Sequence, residues 1–170
     1  MNQAAHFVDM MSYLGGEISE VSAMLATQAR KIEAEDSGVA TFRYKSGALG
    51  SMTVTMLTYP KNMEGSVTVL GDAGSIRISG IALNAITHLE LKDFSADDAG
   101  DLKIGHESES VYGDGHTDYY ANVLGSIQGK EVPLTTGHDG LVSLQTLIAI
   151  YQSAKEKRTV DLPLPGFIKP

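Results

Sequence analysis

Val67-Thr68-Val69-Leu70-Gly71-Asp72-Ala73-Gly74-Ser75-Ile76-Arg77-Ile78 reads as two strands joined by a tight reversal. Val67/Val69 and Ile76/Ile78 alternate with period two, as a strand does when one of its faces is packed. Gly71 and Gly74 bracket the reversal, where glycine can adopt the positive φ that hairpin turns demand. The two runs are therefore predicted to pair antiparallel. Lys45-Ser46-Gly47 has the same turn character further upstream. The whole stretch from residue 18 to about 91 accordingly reads as short β-rich runs separated by turns, a sheet of antiparallel neighbours.

Outward from the sheet the periodicity changes. Phe7, Met10, Met11 and Leu14 recur at helical spacing before Gly15 and Gly16, which predicts a helix over 2–14 with those four residues toward a core. The stretch 95–115 is acidic, glycine- and serine-rich and poor in aliphatic residues, so it is expected to form a long surface excursion. A second helix is predicted over about 117–127, with Tyr120, Leu124 and Ile127 inward and Gly129 just past its end. A third starts after Thr136, whose hydroxyl can cap while Asp139 fills the third position, and Leu141, Leu144, Ile148 and Tyr151 form its stripe. Lys155, Lys157 and Arg158 suit its negative end. Val160-Asp161-Leu162 alternates like a last strand before Pro163 and Pro165. The fold class is therefore α+β: an open, mostly antiparallel (mixed) sheet with helices packed on one face, in a single domain over 1–170.

Composition narrows the chemistry. The chain has 170 residues and is 42% hydrophobic, enough for one ordinary core. No apolar run approaches the ~20 residues a bilayer needs, and no basic-then-apolar leader opens the chain, so a cytoplasmic, non-membrane protein is expected. A formal charge of -8 with scattered cations argues against nucleic acid. There is no cysteine to serve as thiolate, disulfide or zinc ligand. No G-x-S-x-G elbow supports a serine hydrolase, and His6 with Asp9 falls short of a metal set while His88, His106, His116 and His138 are scattered. No metal is expected. The sequence also lacks G-x-G-x-x-G and the P-loop, so a redox cofactor would need another domain.

At ~100° per residue, Asn2, His6, Asp9 and Tyr13 fall within an arc of about 60°, away from the apolar residues of the first helix. An imidazole on such a stripe can accept a proton from a substrate hydroxyl near neutral pH, and Asn2 one turn earlier can orient that hydroxyl. The same spacing also describes a solvated helix face. Tyr59-Pro60-Lys61-Asn62 can present a phenol, an ammonium and an amide to a polar ligand, or serve simply as a turn. His116, at the start of the second helix beside Tyr119 and Tyr120, can contact substrate or act as a cap.

Asn2-Gln3-Ala4-Ala5-His6-Phe7-Val8-Asp9 resembles the second-domain signature of the Gfo/Idh/MocA oxidoreductases, with Asp or Asn four residues before a catalytic His and Asp three after it. Glu35-Asp36-Ser37, Ser46-Gly47-Ala48-Leu49-Gly50, Gly71-Asp72-Ala73-Gly74-Ser75, Gly115-His116 with Tyr119-Tyr120, Gly137 to Gly140 and Tyr151-Gln152-Ser153-Ala154-Lys155 follow in the familial order. The resemblance implies the substrate-binding half of an NAD(P)-dependent oxidoreductase that moves hydride to or from a sugar, polyol or nucleotide-sugar. His6 would be the general acid/base and Asn2 its partner. Asp9, Gln3, Tyr13, Tyr59, Lys61 and His116 would be substrate-binding. It further implies that NAD or NADP sits on a Rossmann domain absent from this chain, with none bound to this chain on its own, and that the open sheet face supports a dimer or tetramer. Asn in place of Asp at position 2 is shared with relatives acting on nucleotide-linked amino sugars, which points to a UDP-sugar. The alternative is a stand-alone sugar-binding or oligomerisation module without catalysis.

Overall fold

A computed structural model of the chain describes residues 4–63, 65–80, 83, 85–95 and 115–167. In order the elements are α1 (Ala5–Gly15), β1 (Ile18–Ala26), β2 (Ser37–Tyr44), β3 (Leu49–Thr55), β4 (Val67–Gly71), β5 (Gly74–Ser79), β6 (Ala85–Leu91), α2 (Gly115–Ile127), α3 (Gly137–Glu156) and β7 (Val160–Asp161). They group into two compact units, one of 1–58 with 135–170 and the other of 59–134. The surface excursion predicted over 95–115 falls almost entirely on 96–114, outside the described residues.

The larger unit is a four-stranded antiparallel sheet, ordered β3-β2-β1-β7, with α1 and α3 on one face. β2 alternates strictly: Gly38, Ala40, Phe42 and Tyr44 are buried while Val39, Thr41 and Arg43 face out. The core combines these inward residues with Val21, Met52, Val8, Ala149, Ile150 and Val160. The mixed α/β content and open antiparallel sheets agree with the fold class read from sequence.

α3 packs by a face the apolar pattern did not indicate. Its buried residues are Gln145, Thr146, Ala149, Ile150 and Ser153, whereas Leu144, Ile148 and Tyr151 are between 37% and 48% exposed. At ~100° per residue the two sets lie on opposite sides of the helix. The buried polar groups are all paired: Thr146 donates to the Val142 carbonyl at 3.2 Å, and Gln145 Oε1 accepts from the Leu164 amide at 3.3 Å. Ser153 accepts from the Ala23 amide at 2.9 Å and donates to the Arg158 carbonyl at 2.6 Å. Small side chains here allow the helix to lie close on β1. The predicted cap is present, with Thr136 and Asp139 forming a reciprocal capping box. The Thr136 hydroxyl and amide hold the Asp139 carboxyl below its ordinary range.

α1 is likewise turned relative to expectation. Val8 is fully buried, with Ala4 buried and Phe7 and Met11 packed beside it, while Leu14 is 42% exposed. The reason is again size: glycine lets the helix end meet β2. A Cβ on Gly15 would stand 2.3 Å from Cε1 of Tyr44. The Tyr44 hydroxyl donates to the Met11 carbonyl at 3.1 Å, and burial pushes that phenol up, keeping it a donor.

The loop after β1 is closed by Asp36, buried at 2% exposure. Its carboxylate accepts from the amides of Gln28, Ala29 and Arg30 at 2.8 to 3.0 Å. The Ala29 and Arg30 amides, then those of Gln28 and the Ser37 hydroxyl, outweigh desolvation and lower its pKa from 3.8 to about 2.

The smaller unit carries a three-stranded antiparallel sheet, β4-β5-β6. The predicted hairpin is present, pairing Val67 with Ile78 and Val69 with Ile76. In α2 the expected inward residues are corrected: Tyr120, Leu124 and Ile127 are 59% to 78% exposed. The half-buried positions are Asn122, Val123, Gly125 and Ser126. Asn122 turns the helix this way by donating to Glu131 and to the Val132 carbonyl and accepting from the Leu134 amide, at 2.9 to 3.0 Å.

Two stability predictions follow from these contacts. Alanine for an exposed helical glycine ordinarily stabilises by about 1 kcal/mol. Gly15→Ala should instead destabilise by ~1–3 kcal/mol in urea melts, because the new methyl displaces the Tyr44 ring. Asp36→Asn should lower the urea midpoint at pH 7. Because the folded-state pKa of Asp36 lies below its ordinary 3.8, the wild-type advantage is full above about pH 4 and is lost as pH falls toward 2. Melts at pH 7, 4 and 2.5 would show the gap closing, and a constant gap would refute the assignment.

Candidate functional site

α1 has neither a side-chain N-cap nor a basic last turn, so little of its own sequence fixes how it sits. Contacts from outside place it. Val8 enters the core on one side, and the Tyr44 hydroxyl grips the Met11 carbonyl near the C-terminal end. The opposite side of the helix is therefore turned outward, since His6 and Tyr13 lie roughly 140–160° around the axis from Val8. His6, Asp9 and Tyr13 are all exposed, Tyr13 at 85%. The structure thus brings these three candidates onto one face, as their spacing predicts.

Asp9 is held from a second direction. The hydroxyl of Ser143, on the second turn of α3, donates a hydrogen bond to Asp9 Oδ1. The same hydroxyl also lies 3.2 Å from the Asp139 carbonyl of its own helix, but it has one proton, and the charged acceptor is the stronger claim on it. No bond is seen to Asp9 Oδ2 among the described residues. Sequence reasoning missed Ser143, because nothing local distinguishes a serine whose partner is 134 positions away.

Asn2 and Gln3 lie outside the described residues. Tyr59, Lys61 and His116 belong to the smaller unit. Tyr59, 94% exposed, and Lys61 occupy bends just before the β4 region, and His116 stands in the first turn of α2 beside the edge-on Tyr119/Tyr120 pair. Among the described residues no three His, Asp or Glu side chains converge as a metal set, and no helix is long and apolar enough to cross a membrane.

The glycines between β4 and β5 do not make a phosphate cradle. A Cβ on Gly74 would come within 2.2 Å of the Glu90 carbonyl oxygen, so the reversal is closed against β6. It also joins two antiparallel strands instead of leading from a strand into a helix. These residues therefore do not fit a dinucleotide.

Comparison with known proteins now identifies the architecture. A family model described as "Oxidoreductase family, C-terminal alpha/beta domain" matches residues 1–162. Among solved structures, the WlbA dehydrogenase from Bordetella pertussis, in complex with NADH and UDP-GlcNAcA, is 48% identical with a TM-score of 0.88, over 96% of this chain and 47% of that one. The WlbA dehydrogenase from Chromobacterium violaceum, also with NADH and UDP-GlcNAcA, is 49% identical with a TM-score of 0.84, over 96% and 46%. Levoglucosan dehydrogenase in complex with NADH shares the fold at 22% identity and a TM-score of 0.74, over 94% and 49%. No curated protein matches the chain. This chain spans about half the length of these solved relatives. The chain belongs to the Gfo/Idh/MocA oxidoreductase family, whose C-terminal alpha/beta domain it matches nearly end to end.

Proposed function

We propose that this chain is the substrate-binding and acid/base half of an NAD(P)-dependent dehydrogenase that oxidises a hydroxyl of a nucleotide-linked sugar. The observation that carries the proposal is the outward face of α1, where His6, Asp9 and Tyr13 stand together while Val8 anchors the opposite side. Two relatives of almost 50% identity were solved with UDP-GlcNAcA, which makes a UDP-linked amino sugar the substrate class to test. A nicotinamide would supply the hydride acceptor, held by the part of the relatives' length that this chain does not span. The chain's own contribution is the proton. His6 takes it from the substrate hydroxyl as the carbonyl forms, Asn2 orients that hydroxyl, and Asp9 accepts a hydrogen bond from a neighbouring one. Gln3, Tyr13, Tyr59, Lys61 and His116 are assigned to substrate contacts in the same reading.

Self-association through the open sheet face belongs to this reading too. The face away from the helices runs in cross-strand rows of Met24, Val39 and Thr53, then Ser22, Thr41 and Ser51, with Leu49 beside the Glu20–Arg43 ion pair. Met24 and Leu49 are more than 70% exposed there. Such a half-apolar sheet is suited to meeting a second copy.

The catalytic reading is tested by joining this chain to the half of the Bordetella pertussis WlbA chain that it does not cover. The fusion should reduce NAD in the presence of UDP-GlcNAcA. His6→Ala should lower kcat by roughly 10²–10⁴-fold, leaving the KM for NAD nearly unchanged; undiminished turnover would reject His6 as the proton acceptor, and a fusion that binds the sugar without turnover would favour the non-catalytic module. For the sheet, light scattering of the 170-residue chain at high micromolar concentration should give a dimer or larger mass, reduced by Met24→Glu. A monomeric mass for the unsubstituted chain would remove the sheet interface.

A further inference from the structure

We infer that Ser143 is a positioning residue of the substrate site: its hydroxyl fixes Asp9 and, through it, the rotation of α1, so that Asp9 Oδ2 faces a substrate hydroxyl. The inference rests on the reading of the outward α1 face as the substrate site. Three observations lead to it. First, α1 has no side-chain cap, so it must be held by contacts from elsewhere in the unit. Second, the two side-chain hydrogen bonds that reach it from other elements among the described residues come from Tyr44 and Ser143. Tyr44 grips a main-chain carbonyl near the end of the helix and fixes its position along the sheet. Ser143 grips a side chain on its flank and so resists turning about the axis. Third, a carboxylate has two oxygens and about four acceptor sites, and this bond uses Oδ1. The remaining oxygen is left pointed and able to accept, which is what recognition of a sugar hydroxyl requires.

The bond also links the site to α3. Ser143 lies one turn beyond the Thr136–Asp139 capping box, on the part of α3 whose main chain the cap makes regular. Asp9 is thereby referred to a capped helix start instead of to its own helix, which has no side-chain cap. A proton-accepting His6, one turn earlier on α1, inherits the same rotational setting.

The test uses the 170-residue chain with UDP-GlcNAcA as the probe, followed through ¹H–¹⁵N spectra of the α1 amides. The nucleotide-sugar should perturb α1, and Ser143→Ala should weaken its apparent affinity by about 10-fold, as loss of a hydrogen bond to a charged group does. Ser143→Thr should restore it, and Asp9→Asn combined with Ser143→Ala should be no weaker than Asp9→Asn, because the serine acts through the aspartate. Thermal melts of each variant separate binding from folding. If Ser143→Ala binds as the unsubstituted chain does while Asp9→Asn still weakens binding, the inference fails and the α1 reading stands. If Thr gives no recovery and affinity simply follows melting temperature, Ser143 is structural and the inference fails. If the nucleotide-sugar leaves α1 unperturbed, or Asp9→Asn has no effect, the substrate reading of α1 falls and takes the inference with it.

Discussion

The Ser153 hydroxyl is the joint between strand and helix in the larger unit. β7 pairs with β1 only at Glu20 and Val21, so the next amide on that edge, Ala23, has no strand partner and faces the layer where α3 packs. Ser153 accepts from that amide and donates to the Arg158 carbonyl, just beyond the left-handed Lys157 that ends the helix. One oxygen therefore completes the ladder of β1, terminates α3 and directs the chain into β7. An apolar residue would leave the part-buried Ala23 amide and Arg158 carbonyl without this partner. With the joint made, Ala149 and Ile150 can sit directly on β1.

The same requirement for close approach runs through α1. Gly15 and Gly50 both lie against the Tyr44 ring, and Val8 fills the space where the larger Met10 and Leu14 were expected. α1 turns Ala4 and Val8 fully inward with Phe7 and Met11 packed beside them, and its polar stripe therefore faces solvent. Packing and site geometry are one problem here.

This explains what could be read from sequence. Strand alternation and the hairpins were legible because they depend on neighbours a few residues apart: Val67 meets Ile78 and Val69 meets Ile76 as their spacing requires. The Thr136–Asp139 cap was legible for the same reason. Helix faces were not, because a sequence reading weights large apolar side chains, while α3 packs by Ala149, Ile150 and three hydrogen-bonded polar residues. In α2 a single Asn122 tied to 131–134 decides the face. At the site, the His6/Asp9 spacing was visible in one helix, whereas the serine that holds Asp9 lies on another and carries no local mark.

The chain's acidic residues show why such pairings must be seen to be believed. Asp36 and Asp9 look equivalent in sequence, each an aspartate in a familial motif. Asp36 spends both oxygens on the amides of a single turn, is buried, and has its charged form stabilised to a pKa of about 2. Asp139 turns its carboxylate back on Thr136 within its own cap. Asp36 has no oxygen left for an external hydroxyl, and the bonds of the Asp139 carboxylate stay within its own helix start. Asp9 differs in that its partner is one hydroxyl on a different helix and its side chain is exposed. A carboxylate saturated by backbone amides can only hold structure, whereas one half-engaged and oriented from the side can both hold its helix and bind. Of the three, Asp9 alone is tied by its side chain to a different helix, with Oδ2 unbonded among the described residues.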